Sequence, residues 1–341
     1  MFRGLSVVLV VAIASAGVLA SLQALAQPVP AGAEPTLPPA LQAAVSSGNL
    51  QAVASAIAAL SGGDAARSAA LAAQVIGAAE RLLAVNPQAA VAVAGAAVET
   101  IRSSSVQAAA PDQTQTVLTT AARIFVAPPA QQAAPLQAAA LASTTLSAAT
   151  TTGNPAVIGN IASQAIIVAE RVLAVAPAAA VELAGAGLAA VREVPVMTTQ
   201  PVAALEVASG AARILVNPDA QRADPAAVGQ LAVVTTQIVT NPIVYSAGAG
   251  AAVVVMANAY AAATSQTVTA ANPGAAGAVN QALNDASTSI QLGQTNPANA
   301  AQINAILNQP RTTTPQPTDS ATGAPTVNNV GPTEIFTASP S

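Results

Sequence analysis

Apolar positions along the chain recur at helical spacing between closely set breaks. Leu71, Val75, Ile76, Ala79, Leu82 and Leu83 fall on one face of a 3.6-residue helix, with Glu80 and Arg81 near its C-terminal end. Asn-Pro pairs punctuate the pattern at Asn86-Pro87, Asn154-Pro155, Asn217-Pro218, Asn241-Pro242, Asn272-Pro273 and Asn296-Pro297. Asn is a strong N-cap and Pro fits the first helical turn. The residue before Pro is pushed out of the helical region, so each pair stops one helix and starts the next. Ser61-Gly62-Gly63-Asp64 reads as another break, with Asp64 as cap. The spacing predicts helices over 40–60 (broken near Gly48), 65–85, 87–103, 111–127, 130–150, 155–175, 177–193, 201–216, 218–240, 242–263, 273–292 and 297–308.

The pattern also repeats. Ala79-Glu80-Arg81-Leu82-Leu83-Ala84-Val85-Asn86-Pro87 returns 90 residues later as Ala169-Glu170-Arg171-Val172-Leu173-Ala174-Val175-Ala176-Pro177. Arg102 and Arg192, Pro111 and Pro201, Arg123 and Arg213, and Pro135 and Pro225 keep the same offset. This predicts a duplicated unit of about 90 residues, at 67–156 and 157–246, with a degraded third copy running to 308. The third copy is suggested by Asn241-Pro242-Ile243-Val244, which aligns with Asn154-Pro155-Ala156-Val157. Inside each unit Ala122-Arg123-Ile124-Phe125-Val126 and Ala212-Arg213-Ile214-Leu215-Val216 echo the same ending. The intervals between Arg81, Arg123, Arg171 and Arg213 are 42, 48 and 42 residues, each enough for a helix pair. Armadillo and HEAT arrays have a similar period, but their signature residues are absent here and the comparison concerns period alone. The expected fold is all-α: tandem Ala-rich helical hairpins, arranged as an α-solenoid or a bundle.

Composition sharpens the picture of the interior. Hydrophobic residues make up 53% of the chain and aromatics 1%, so alanine carries the apolar surplus and each contact buries little area. Alanine is also the best helix former, which adds a local bias to the same fold. All ten basic residues are Arg, His and Cys are missing, and the net charge of −4 gives no attraction to nucleic acid or anionic lipid.

The ends read differently. Residues 1–26 have the form of an export signal: Arg3, an apolar run from Leu5 to Leu19, then small residues at Ala24 and Ala26 that leave Gln27 first after cleavage. An uncleaved N-terminal anchor is the alternative, because the run is nearly long enough to span a membrane. Residues 27–39 are a Pro-rich linker, 40–308 the helical repeat domain, and 309–341 a Pro-, Thr-, Ser- and Asn-rich tail expected to be disordered. That tail has almost no apolar content until Ile335 and Phe336.

Candidate chemistry is sparse. Arg81, Arg123, Arg171 and Arg213 are the most specific feature. They could contact carboxylates or phosphates along one face. The plainer reading has each Arg complementing a helix C-terminus, its stem over apolar surface, with Glu80, Glu99, Glu182 or Glu206 available as partners. No ionisable Asp, Glu or Arg occurs between Asp224 and Asp285. Residues 225–284 could therefore insert as a hydrophobic hairpin, although a central helix covered by its neighbours fits the small residues better. Without imidazole or thiolate, and with scattered carboxylates, the sequence predicts no catalytic, cofactor or metal site. Aromatic scarcity argues against stacking platforms for sugars or single strands. The expectation is an exported, periplasmic, cell-surface or extracellular, non-enzymatic structural or scaffolding protein of a bacterial envelope or matrix, whose partners are envelope proteins or further copies of itself. The alternatives are a peptide- or protein-binding solenoid and a membrane-associated protein using 225–284.

Overall fold

The computed structural model describes residues 37–308, which are helical nearly throughout. The expected leader, linker residues 27–36 and the tail 309–341 lie outside the described residues. Two helices, α1 (Pro39–Ser46) and α2 (Leu50–Ser61), open the array, and the long helices α3 (Ala65–Leu82) and α4 (Pro87–Ile101) follow. A six-residue helix then precedes each long one: α5 (Ser104–Ala109) before α6 (Pro111–Val126), and α7 (Pro128–Ala133) before α8 (Pro135–Thr151). Helices α9 (Pro155–Val172) and α10 (Pro177–Val191) again follow without one. The short–long alternation resumes with α11 (Val194–Thr199), α12 (Pro201–Leu215), α13 (Pro218–Ala223) and α14 (Pro225–Val239). It continues through α15 (Pro242–Ala247), α16 (Ala249–Thr264), α17 (Gln266–Ala271), α18 (Pro273–Ser287) and α19 (Ile290–Thr295) to α20 (Asn299–Leu307).

Capping follows the chemistry of the breaks. The side chains of Asn86, Asn154, Asn217 and Asn241 accept bonds from first-turn N–H groups, and Asp64 and Asp224 do the same for α3 and α14. Asn272 departs from the pattern: its Nδ2 donates to the Ala226 carbonyl, 3.4 Å away, instead of capping α18.

Four of the expected helices are each two helices. The spans 130–150, 218–240, 242–263 and 273–292 divide into α7 and α8, α13 and α14, α15 and α16, and α18 and α19. In the first two, a second proline follows the first break by seven residues. Ala134 (φ −149, ψ 59) and Asp224 (φ −150, ψ 78) are held out of the helical region by Pro135 and Pro225. Between α15 and α16 there is no proline. Gly248 takes the corner, where a Cβ would meet Leu205 Cδ2 at 2.8 Å. The stretches between expected helices at 104–109, 194–199 and 266–271 are also helical.

The alignment behind the third copy does not extend to the elements. Asn154-Pro155 opens an 18-residue helix, whereas Asn241-Pro242 opens a six-residue one. The later short helices instead begin 24 residues apart, at Val194, Pro218, Pro242, Gln266 and Ile290.

Packing is strictly local in order. Taken as α3, α4, α6, α8, α9, α10, α12, α14, α16, α18 and α20, each long helix packs on the next and on the one after that. Alternate members therefore form two layers, α3–α6–α9–α12–α16–α20 and α4–α8–α10–α14–α18. The core lies between them and is rich in fully buried Ala, with Ile76, Ile101, Leu118, Ile124, Phe125, Ile161, Leu188 and Ile214 as larger fillings. Alanine costs no side-chain entropy on burial and lets helices approach closely, so the interior gains from many small contacts. Each short helix from α5 to α17 packs on the long helix that precedes the one it follows, as α5 does on α3 and α15 on α12. Neighbouring short helices on the same edge also touch, α11 with α15 and α15 with α19.

The uncharged stretch is built into this array. Helix α16 sits among α12, α14, α18 and α20, with Val255, Met256, Ala259, Tyr260, Ala262 and Ala263 buried. Among the described residues no helix is long and apolar enough to cross a membrane.

Candidate functional site

The four repeated arginines end the helices α3, α6, α9 and α12, consecutive members of one layer, and all four are exposed. Each Arg after the first reaches back to the preceding helix of its layer. Arg123 Nε lies 3.1 Å from Glu80 Oε1, and Arg213 Nε donates to Glu170 Oε1 at 2.8 Å. Arg171 has no carboxylate opposite it, because Ala122 stands where Glu80 and Glu170 stand in α3 and α9. Its Nη1 donates instead to Gln131 Oε1 at 2.6 Å and to the Val126 carbonyl at 3.2 Å. That carbonyl belongs to the last turn of α6, where helical partners run out. Gln131 is itself anchored by donating from Nε2 to the Phe125 carbonyl at 3.0 Å. Arg81, at the start of the row, has no carboxylate within 4.0 Å among the described residues.

The expected Glu partners divide. Glu80 pairs within the row, while Glu99 turns to Arg102 on its own helix at 2.9 Å. Glu206 accepts from Ser163 Oγ at 3.2 Å, and Glu182 makes no ion pair among the described residues. Glu170 is the partner the sequence reading did not single out. Its signal was the offset itself, since Glu80 and Glu170 both lie 43 residues before the Arg they meet.

These pairs are wet. The side chains of Arg123 and Glu80 are 63% and 40% exposed, those of Arg213 and Glu170 49% and 31%, so each pair is worth no more than about 1 kcal/mol. Arg123→Ala and Arg213→Ala are each expected to lower stability by about 1 kcal/mol or less, and to add in the double variant, as read by urea denaturation. A loss of several kcal/mol from either would show that the row carries more than a surface staple.

Two other polar features escaped the sequence reading. At the C-terminal end Tyr245 is fully buried; its hydroxyl donates to Asn299 Oδ1 at 2.9 Å and accepts from Asn296 Nδ2 at 3.1 Å. Asn299, also fully buried, donates from Nδ2 to the Ala286 carbonyl at 2.8 Å, so one network ties α15 to α18 and α20. Burial pushes the Tyr245 hydroxyl above its usual pKa of 10.0, against a smaller lowering by the Asn296 bond. The second feature is an open groove of about 570 Å³ between α15 and α19, lined by Asn241, Pro242, Ile243, Gln291, Gln294 and Thr295. Its trace in the sequence was the 48-residue interval between Pro242 and Ile290 that opens the two short helices.

Among the described residues no three acids stand close enough to hold a metal ion. The candidate cleavage residues Ala24, Ala26 and Gln27 lie outside the described residues. Comparison with known protein families, curated proteins and solved structures finds no match for this chain.

Proposed function

We propose that the chain is an exported, non-enzymatic scaffold of a bacterial envelope or matrix, an α-solenoid grown by duplication of a unit of about 90 residues. The duplication is supported by helix boundaries: α3, α4, α5 and α7 have counterparts with identical lengths 90 residues on, in α9, α10, α11 and α13. The open-array reading is supported by packing that stops at the second neighbour, as in repeat proteins whose stability is a sum of local interfaces.

The observation that carries the scaffold reading is the use made of the arginine row. Three of its four members are bonded to the neighbouring helix of their own layer, so the most regular polar feature is engaged within the array. A row evolved to grip an anionic ligand would keep its guanidinium groups unengaged. Export rests on the form of residues 1–26.

The test has two parts in cells that express the natural chain. Mass spectrometry of the exported fraction is expected to find a mature N-terminus at Gln27, and cross-linking of intact envelopes is expected to recover other envelope proteins or further copies. A full-length chain confined to the cytoplasm would refute the address. A cleaved chain that cross-links to nothing in the envelope would refute the scaffold. The groove between α15 and α19 favours a second reading, a peptide-binding solenoid.

A further inference from the structure

Three exposed large apolar side chains stand along one edge of the array. Val194 opens α11, Ile243 lies in the first turn of α15 and Ile290 opens α19; they are 66%, 42% and 77% exposed. Because α11 touches α15 and α15 touches α19, the three form a row. The groove lies between α15 and α19 with Ile243 in its lining and Ile290 one residue before the lining Gln291, and that lining is uncharged. Gln291 and Gln294 each offer an amide donor and acceptor, the pair of functions that an extended peptide backbone requires. Ile243 adds apolar contact from the lining. The chemistry fits a stretch of extended chain with an apolar anchor.

This chain carries a segment with such an anchor within reach, and Glu334 is the only Asp, Glu, Arg or Lys in it after Asp319. Residues 309–341 continue from α20, which follows α19 directly and is nine residues, or about 13 Å, long. Ile335-Phe336 is the only adjacent pair of large apolar residues in that segment, and Phe336 its only aromatic. From Asn308 to Ile335 the backbone spans at most roughly 90 Å, which far exceeds the length of α20 separating the segment's start from α19. A tethered ligand of this kind competes at an effective concentration on the order of millimolar, so modest contacts suffice to fill the groove. We propose that Ile335-Phe336 docks in the groove between α15 and α19, covering Ile243 and Ile290, with neighbouring peptide groups bonded to Gln291 and Gln294. The docking is independent of the chain's address and of its scaffold role.

The experiment uses the full chain with a photo-crosslinking benzoylphenylalanine in place of the exposed Gln294. Irradiation of the monomer is expected to give an intramolecular adduct whose peptides map to residues around 335–336. Ile335→Ser with Phe336→Ser, a change outside the helical array, is expected to cut that adduct about tenfold. In the same pair of chains the δ1 methyl resonances of Ile243 and Ile290 should shift, while those of Ile57 and Ile76 at the other end stay in place. An adduct between two chains would assign the groove to a second copy and overturn the proposal. So would an adduct that never includes the segment, one indifferent to the double substitution, or unmoved Ile243 and Ile290 methyls.

Discussion

Phe125→Ala is expected to cost about 3–5 kcal/mol, the largest loss from any single truncation in the array. Phe125 is fully buried on α6, the only phenylalanine among the described residues, in a layer interface otherwise filled by alanine and aliphatic side chains. Alanine-lined helices have little side chain with which to collapse into the space it would leave. The cavity term therefore adds nearly in full to the lost transfer energy. Helix α6 packs on α3, α4, α8 and α9, so the damage should be local. Hydrogen exchange is the suitable measurement, because an array of neighbour contacts need not unfold in one step. Protection is expected to fall first in α3, α4, α6, α8 and α9 and to persist in α16 and α18. A loss below about 1 kcal/mol would mean that the cavity closes, contrary to this account of the packing.

Tyr245→Phe is expected to cost about 1–3 kcal/mol, because it leaves the buried Asn299 Oδ1 without its donor. The effect should concentrate in α19 and α20, which the network ties to α15 and α18. The same hydroxyl sets an alkaline limit. Its folded pKa lies above the unfolded value near 10.0, so the folded state holds the proton more tightly. The stabilisation is complete below pH 10 and declines as pH rises from there through the folded pKa. Thermal melts of the natural chain should fall across that window. Melts of the Phe variant, lower at neutral pH, should fall less steeply there. Parallel alkaline profiles for the two proteins would remove Tyr245 as the cause.

The long helices were legible because their starts are written in proline. Pro87, Pro111, Pro155, Pro177 and Pro201 each begin a helix where the sequence pattern placed one. The six-residue helices were not legible, since a break at Pro218 and another at Pro225 leave too few residues for a full period of apolar spacing. Read as one element, each pair hid the 24-residue interval that the later part of the chain follows. The arginine row was visible as a recurrence, but its partners depended on which helices become neighbours. Glu99 looked as available as Glu80, yet an Arg three residues on takes it within its own turn. Nothing local marked Tyr245 and Asn299 as a pair, because 54 residues and four intervening helices separate them. The groove was hidden for the same reason, its two walls being short helices whose existence the pattern did not reveal.

Order-limited packing has a mechanical corollary. Because a long helix packs on its first and second long successors and on nearby short helices, packing in the described array passes from neighbour to neighbour along its length. Tension applied along it would be resisted by one interface at a time, and the chain would pay out in small successive lengths instead of rupturing at a single threshold. Genetic gain or loss of one short–long pair would likewise change reach without rewiring what remains, which gives such a polymer adjustable span at little cost to its integrity.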